Sequence, residues 1–398
     1  MAALAATSAF AQNVVSLYGT LDMGVGNISY KLNDIVQTTR SGAQSSANDT
    51  SRWGMTGTED LGGGMAAEFK IEQGIGTNPR SGIAKDLTLT NGTSNGNAYT
   101  LDNTVLGDRE LWAAVKSGAA RVQVGYGVTG MRNLAVQTDA AQSNQFGNQI
   151  AHDVGAYRRA GVRVDYNLAG GWLVSGGVSG NRSNQGTVAT GSGATAPALG
   201  GELRNGKGWT LGAQYTQGPI NAGYFHDEVT SQSPAVLAAN YAQSPAPYLT
   251  IAAAAANTTK KTDLLAASYD MGVAKLYGQY YSQKAVQNDD ATDTGAGAGK
   301  IQGTSFGVRV PVGKATFFAQ SLNMKDKQYV AAATGEDRKY TGSSFGVRYD
   351  VSKRTYAYVN TGSLKKDASA GSNSAGTSLA NNNGTKYQQT ALGIVHSF

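Results

Sequence analysis

The connections between the predicted strands alternate strictly between short and long along the chain. The short connections carry the Gly, Pro and Asp residues that tight turns need, and they lie at 60–63, 117–119, 169–170, 217–219, 270–272, 311–313 and 350–353. The long ones are rich in Asn, Ser, Thr, Gly and Ala and lie near 30–50, 74–106, 127–156, 181–203, 230–260, 285–299, 325–338 and 364–384. An up-and-down β-barrel, with turns at one rim and loops at the other, produces this alternation. A soluble sandwich or a propeller has no reason to produce it.

About sixteen strands lie between these connections, an even number as bacterial outer-membrane barrels require. The first begins at Val14, and the others lie near 52–56, 68–72, 107–117, 120–126, 157–168, 171–180, 204–217, 219–229, 261–270, 273–284, 300–311, 314–324, 339–350, 354–363 and 385–398. We find no domain boundary within 12–398. The sequence therefore predicts an all-β fold, a single transmembrane antiparallel up-and-down β-barrel with short periplasmic turns and long external loops.

The last predicted strand has two different faces. At period two, its larger side chains share one face, in the order Thr390, Leu392, Ile394, His396 and Phe398. Small or polar side chains occupy the other face. An aromatic residue on an unpaired edge strand favours aggregation. Pairing of this strand with the first one removes the edge, because it closes the barrel.

The composition narrows the class of protein further. No segment of about 18 apolar residues is present, which excludes a transmembrane helix but not barrel strands, whose signal is weaker. The chain has no Cys, which excludes a disulfide scaffold and a cysteine-based metal site. Its net charge is +6, but the basic residues are scattered, which indicates ordinary solubility rather than nucleic-acid binding.

Residues 1–11 resemble the second half of a secretory signal peptide. The stretch from Ala9 to Ala11 fits the small-x-small cleavage rule, which would leave Gln12 as the first mature residue. The basic region and most of the apolar core of such a signal are missing. We expect an exported protein with a residual signal peptide.

Four stretches resemble the betaproteobacterial general diffusion porins. They are Val15-Ser16-Leu17-Tyr18-Gly19, the run 51–64 with its Gly-Thr-Glu-Asp-Leu-Gly-Gly-Gly turn, Ser352-Lys353-Arg354-Thr355 and the ending Gly393-Ile394-Val395-His396-Ser397-Phe398. The matches spread over nearly the whole mature chain. The resemblance implies a trimeric, sixteen-stranded pore in the outer membrane of a Gram-negative cell. In that family the third long loop, here about 127–156, folds into the lumen opposite a ladder of Arg side chains.

The resemblance also implies partners and an assembly signal. The expected partners are two further copies of the chain, outer-membrane lipid and lipopolysaccharide, the barrel-assembly machinery, and small ions and solutes. No cofactor and no nucleic acid are expected. During insertion, the residues expected to be read as a signal are Phe398, His396, Ile394 and Leu392.

The constriction residues of the family fall on Arg52, Arg109, Arg159 and the acidic Glu72. Alternation independently turns three of them toward the lumen, because apolar side chains occupy the other face of their strands. The pattern around Arg109 is ambiguous, since apolar residues share its parity. Further lumen-lining residues predicted by alternation are Asp22, Glu68, Arg121, Arg163, Asp165, Arg309 and Arg348. Tyr126 stands where family members commonly carry Arg, and Asp139 and Asp153 lie in the inserted loop.

Other motifs favour simpler interpretations. The run 125–130 matches a dinucleotide fingerprint, but the strand before it alternates polar and apolar residues and no βαβ unit surrounds it. His152 and His226 have no Ser or acid at a recognisable catalytic spacing, and His396 points outward. The acidic run 289–293 is a possible site for divalent cations, although such runs are usually only solvated. We predict neither catalysis nor a metal site.

The sequence thus predicts a porin: a water-filled channel for passive diffusion of small hydrophilic solutes and ions, with a weak preference for anions. Selectivity would depend on the diameter of the constriction and the charge of its walls. Alternatives are a substrate-specific outer-membrane channel for an organic anion, phosphate or a sugar, or an outer-membrane enzyme or adhesin.

Overall fold

The computed structural model describes residues 14–32, 35–75, 109–141, 150, 158–180, 207–232, 257–287, 299–326, 338–366 and 385–398. The elements are β1 (Val14–Leu32), β2 (Ile35–Ser45), β3 (Arg52–Gly62), β4 (Met65–Gly74), β5 (Glu110–Ser117), β6 (Ala120–Val128), α1 (Gly130–Gln137), β7 (Arg158–Leu168), β8 (Trp172–Ser179), β9 (Lys207–Gln217), β10 (Ile220–Gln232), β11 (Asn257–Asp270), β12 (Lys275–Gln287), β13 (Gly299–Val312), β14 (Ala315–Asp326), β15 (Arg338–Asp350), β16 (Thr355–Lys366) and β17 (Thr385–Ser397). Residues 1–11, His152, Asp153 and the acidic run 289–293 lie outside the described residues.

The strands form one antiparallel sheet that closes on itself. Apart from β2 and β3, which both pair with β1, each strand pairs with its neighbours in sequence. β17 pairs with β1 over a register that runs from Thr20↔Ser397 to Leu32↔Thr385. Gly19 and Phe398 exchange two backbone hydrogen bonds of 3.1 Å at the lower end of this seam. The closed, antiparallel, all-β barrel predicted from the sequence is confirmed.

The β2 and β3 segments together occupy one position in the barrel wall. The first residues of β1, Val14–Thr20, pair with β3, and its later residues pair with β2. The seventeen strand segments therefore make sixteen positions around the barrel. The prediction of a loop over 30–50 was wrong for 35–45, because the polar residues there extend the first hairpin above the membrane level.

The short turns lie at one rim, as predicted. Gly118 and Gly218 adopt φ values of 55° and 57°, a left-handed conformation that favours glycine in tight turns. The described strands differ in length around the barrel: β4 to β8 have 8 to 11 residues, whereas β10 to β17 have 12 to 14. One side of the wall is therefore lower than the other.

Alternation along each strand separates an apolar outer face from a polar inner face. On β1, Leu17, Met23 and Val25 are exposed on the outside, whereas Thr20 and Asp22 between them are buried on the inside. Successive side chains of a strand point to opposite faces, so alternate residues lie in these two environments. Among the described residues, no helix is long and apolar enough to cross a membrane.

Candidate pore constriction

Helix α1 packs against the inner face of the barrel. The hydroxyl of Thr129 caps its first turn and accepts a hydrogen bond from the backbone N–H of Arg132 at 3.3 Å. Met131, Leu134 and Ala135 are fully buried on the side that faces the wall. They form one apolar cluster with inward side chains of β10, β11, β12 and β14, namely Phe225, Leu264, Ala266, Tyr281, Leu322 and Met324, and with Ile150.

Polar side chains of the wall hold the backbone of α1 and of the residues that follow it. Gln279 Nε2 donates to the carbonyl of Ala135 at 2.7 Å, and Arg309 Nε donates to that of Ala140 at 2.7 Å. The N–H of Ala141 donates to Gln320 Oε1, also at 2.7 Å. The segment therefore leaves the wall at β6 and reaches β13 and β14 on the opposite side. On the way it follows the inner face past β9, β10 and β11, and it occupies part of the lumen.

Glu72 is the centre of an ion-pair cluster on the inner face of β4. Its carboxylate lies 2.6 Å from Arg109 Nε, 3.3 Å from Lys70 Nζ and 3.8 Å from Arg52 Nε. The hydroxyl of Tyr18 donates to it at 2.8 Å. Arg52 also pairs with Asp49 at 2.9 Å and Lys70 with Glu110 at 2.6 Å, so three cations and three carboxylates meet at this point of the wall.

Glu110 extends the cluster to the next strand. It accepts a hydrogen bond from Lys70 Nζ at 2.6 Å and one from the indole N–H of Trp112 at 2.9 Å. Arg109 directly precedes Glu110 and lies just beyond the end of β5. Alternation would turn its side chain outward, but at this low rim the side chain reaches over to Glu72. The three predicted constriction residues Arg52, Arg109 and Glu72 thus lie together.

A second group of charges lies lower on the same wall. Arg121 Nε lies 2.7 Å from Glu68, and its Nη1 lies 3.5 Å from Asp165. Arg163 Nε lies 2.8 Å from the same Asp165, which also accepts a hydrogen bond from Ser175. These residues, all predicted to line the lumen, form one chain of alternating charge.

Arg159 lies apart from that group. Its two terminal nitrogens each donate to one oxygen of Asp227 on β10 at 2.7 Å, a bidentate geometry. The side chain of Asp227 is only 1% exposed, and that of Arg159 is 14% exposed. Arg348, the last of the predicted arginines, pairs with Asp350 at 2.5 Å near the turn rim.

Arg52 and Lys70 are more exposed to the lumen than the buried carboxylates of Glu72 and Glu110, whereas Asp49, which pairs with Arg52, is 39% exposed. The exposed side-chain fraction is 24% for Arg52 and 22% for Lys70, against 5% for Glu72 and 8% for Glu110. The same order holds for Arg159 and Asp227. In these pairs the cation lies nearer to the lumen than Glu72, Glu110 or Asp227 does, whereas Glu68 is more exposed than its partner Arg121.

The helix adds a cation to this field. Burial, and after it the charge of Arg158, lowers the pKa of Arg132 to about 10, and Arg109 contributes in the same direction. Burial is the main cause of this lowering, the neighbouring guanidinium groups of Arg158 and Arg109 add to it, and Asp139 partly offsets it.

A second segment also folds inward, between β2 and β3. The fully buried carboxylate of Asp22 accepts hydrogen bonds from the N–H groups of Asn48 and Asp49 at 2.6 and 2.7 Å and from the hydroxyl of Tyr358 at 2.7 Å. Ala47 is buried in this inner cluster beside Tyr356. Asp22, predicted as a lumen-lining charge, is therefore an internal anchor that holds residues 46–51 against the wall.

The residues of the predicted assembly signal lie on the outer face of β17. Leu392, Ile394 and Phe398 are exposed there with His396, whose Nδ1 lies 2.9 Å from the hydroxyl of Thr355. The ring of Phe398 covers Gly19, where an added Cβ would come within 2.2 Å of it.

Several charged residues of the lumen were missed at the sequence level. Lys70 shares its face with Glu68 and Glu72, so alternation already carried that signal. Alternation gave no such signal for Glu110 or Asp227, because apolar residues occupy other positions on the same face of their strands. Among the described residues, no group of three or more His, Asp or Glu side chains is arranged to hold a metal ion.

Comparison with known proteins agrees with this architecture. The family model of the Gram-negative porins matches residues 1–369. The chain is similar to an outer membrane porin protein of Bordetella pertussis, with 25% identity over 285 residues, which are 68% of this chain and 64% of that protein. The chain thus matches somewhat less than two thirds of the length of that curated relative.

Two solved structures share the fold. An anion-selective porin from Comamonas acidovorans superimposes with a TM-score of 0.65 at 22% identity, covering 97% of this chain and all of that one. The trimer form of OmpT, an outer membrane protein of Vibrio cholerae, superimposes with a TM-score of 0.61 at 15% identity, covering 97% and 99% of the two chains.

Proposed function

Because the chain belongs to the Gram-negative porin family, we propose that it forms a water-filled channel in the outer membrane through which small hydrophilic solutes and ions diffuse passively. The observation that carries the proposal is a closed barrel whose inner face is lined with charges and carries α1 packed inside it. Charged groups on a barrel wall are tolerated where they meet water, so this lining fits an aqueous lumen. Diffusion through it needs no covalent step.

The constriction favours anions weakly. Arg52, Lys70 and Arg109 surround the carboxylate of Glu72, and Asp49 and Glu110 balance two of these cations. Arg132, which lies close enough to Arg109 to feel its charge, adds a further cation from the helix. Glu72 and Glu110 are buried against the wall, so a passing ion is nearer to Arg52 and Lys70 than to these two carboxylates. The low-dielectric wall focuses this field on the pore. Because most charges are paired and salt screens the rest beyond about 8–10 Å, the preference is small.

The functional unit is a homotrimer whose contacts lie on the low side of the wall. The outer residues of β5 and β6 there are apolar and exposed, for example Leu111 (46%), Val115 (49%) and Val124 (57%). Small residues on the outer face, Gly19, Gly57 and Ala113, would permit close packing between barrels. Both glycines are instead covered by rings of the same chain, Phe398 and Phe69, so the flat apolar side chains carry the contact.

Conductance across a planar bilayer tests this proposal. The purified protein should give stable open-channel steps, grouped in threes, and a zero-current potential in a KCl gradient that indicates a weak anion preference. The preference should shrink as the salt concentration rises. Silence at all voltages, or a stable preference for cations, would contradict the proposal.

A further inference from the structure

Residues 46–51, which we call the inner segment, lie inside the barrel between the end of β2 and the start of β3. The segment begins at Ser46, whose φ of 61° lies in the left-handed region that residues other than glycine rarely adopt. The N–H of Ser46 donates to the carbonyl of Asp22 at 3.1 Å, and its hydroxyl accepts a hydrogen bond from the N–H of Ser51 at 2.9 Å. Such a backbone persists only where its surroundings fix it, and positions of this kind gather at functional sites.

The carboxylate of Asp22 fixes the middle of the inner segment. Its Oδ2 accepts both the N–H of Asn48 at 2.6 Å and the N–H of Asp49 at 2.7 Å. Its Oδ1 accepts a hydrogen bond from the hydroxyl of Tyr358 at 2.7 Å, and Asp22 is fully buried. Hydrogen bonds to an ionised acceptor are among the stronger ones in proteins. Asp22 therefore anchors the backbone from which the side chain of Asp49 projects.

This anchor places the carboxylate of Asp49 in the lumen. Asp49 Oδ1 lies 2.9 Å from Nη1 of Arg52 and also accepts a hydrogen bond from the N–H of Thr50 at 2.7 Å. Its side chain is 39% exposed, whereas those of Glu72 and Glu110 are 5% and 8% exposed. Of these three carboxylates, Asp49 is the one that reaches the pore water.

Contacts join the inner segment to the wall on both of its sides. Toward β16, Asn48 Nδ2 donates to the hydroxyl of Tyr356 at 3.0 Å, and the guanidinium of Arg348 lies 3.8 Å from the centre of the Tyr356 ring. Toward β4, Asp49 continues into the ion pairs of Arg52, Glu72 and Arg109. The segment is thus held in one place beside the charges of the constriction.

We propose that Asp49 is the selectivity-determining acid of the constriction, and that Asp22 is a positioning residue that acts through it. This proposal rests on the proposed channel function. Asp49 offsets the charge of Arg52 on the side that meets the water, so it keeps the anion preference weak. When the anchor is removed, Asp49 is no longer held beside Arg52, and the guanidinium then faces passing ions with less of its charge offset.

Reversal potentials in a KCl gradient test the role of Asp49. Asp49→Asn should raise the ratio of anion to cation permeability about twofold, because it removes a unit charge next to the ion path. The matched control is Asp263→Asn. Asp263 is 38% exposed and pairs with His226, but it lies on the outer face of β11 with the exposed Leu265. The control should leave the permeability ratio unchanged.

Two substitutions of Asp22 separate its charge from its anchoring role. In Asp22→Asn the amide oxygen still accepts hydrogen bonds from both N–H groups, whereas Asp22→Ala removes the charge and the anchor together. Asp22→Asn should change the permeability ratio little, and Asp22→Ala should change it nearly as much as Asp49→Asn does. When Asp49 is already Asn, the two substitutions should give the same ratio, because no charge is left to position.

Hydrogen exchange in detergent follows the anchor independently of conductance. The N–H groups of Asn48 and Asp49 should exchange slowly in the parent and in Asp22→Asn, and about tenfold or more faster in Asp22→Ala. If Asp22→Ala does not fold, Ser51→Ala takes its place, because it removes the hydrogen bond of 2.9 Å between Ser51 Oγ and the N–H of Asp22 without changing a charge.

Three results would each overturn the proposal. The first is an unchanged permeability ratio in Asp49→Asn, and the second is the same ratio in Asp22→Ala and Asp22→Asn although exchange at Asn48 and Asp49 is faster in Asp22→Ala. The third is a difference between these two variants that persists when Asp49 is Asn. Absence of conductance in the parent protein would instead contradict the channel proposal itself, so the two failures are distinguishable.

Discussion

Neutralising Asp227 should strengthen the anion preference of the pore, because it removes the charge that offsets Arg159. The two groups form a bidentate pair at 2.7 Å, with the carboxylate 1% and the guanidinium 14% exposed. In Asp227→Asn the amide oxygen still accepts a hydrogen bond from Arg159, but the negative charge is gone. A full positive charge then faces the lumen.

The size of the effect follows from Coulomb's law. A unit charge about 8 Å from the ion path contributes about 0.5 kcal/mol at the permittivity of water, and salt at about 0.1 M roughly halves this. The local concentration of anions then rises about 1.5-fold and that of cations falls by a similar factor, so the permeability ratio changes about twofold. For a nearly non-selective pore, the zero-current potential in an about tenfold KCl gradient moves by about 15 mV toward the anion side.

Glu228→Gln is the matched control for this measurement. It removes the same charge from the adjacent residue, but Glu228 lies on the outer face and pairs with Lys261. The control should leave the zero-current potential unchanged. A shift of equal size in both variants, or a shift of Asp227→Asn toward the cation side, would refute the assignment of the two faces. Arg159→Gln should move the potential the other way and should also lower stability by about 3–5 kcal/mol, because it leaves a buried carboxylate without its partner.

Three further variants test other parts of the structure. Leu134→Ala removes a fully buried contact of α1 with the wall, so it should weaken docking by about 2–5 kcal/mol and give noisier, larger conductance steps in bilayers. Gly19→Val places a side chain where the ring of Phe398 lies, so it should lower the yield of heat-modifiable folded protein as Phe398→Ser does, and full yield from both variants would argue against a role of this contact in assembly. Glu72→Gln leaves Arg52, Lys70 and Arg109 without their shared carboxylate; we expect a stronger anion preference in reversal-potential measurements, with a lower midpoint of thermal unfolding.

The inner and outer faces of the barrel wall could be predicted from the sequence, because side chains alternate between the two faces of a β-strand. Phe69 and Ile71 make one face of β4 clearly apolar, so the charged residues that alternate with them must lie on the other face, toward water. Glu72 lies on that inner face. The short turns could also be predicted from the sequence. Positions such as Gly118 require a left-handed backbone, and the sequence carries glycine there.

The sequence could not supply the features that depend on distant strands. Asp227 was not predicted to face the lumen, because its inner-face neighbour Phe225 is apolar. Phe225 lies on the inner face, where α1 packs against it. Ion pairs such as Arg159–Asp227 join strands that are far apart in the chain, and a single sequence does not give their distance. Arg109 lies at the rim of a low wall, where parity no longer decides which way a long side chain turns.

The seam between β1 and β17 has a consequence for the order of folding. The side chains of Thr20 and Ser397 meet at 3.4 Å although 377 positions separate them in the chain. Joining ends that far apart costs about 5 kcal/mol of loop entropy in a freely flexible chain, so closure is the slow, late event. Until β17 arrives, β1 keeps an open edge that another chain can pair with. A chaperone or an insertion machine that shields β1 during synthesis would therefore protect the most vulnerable hydrogen-bonding edge of the molecule.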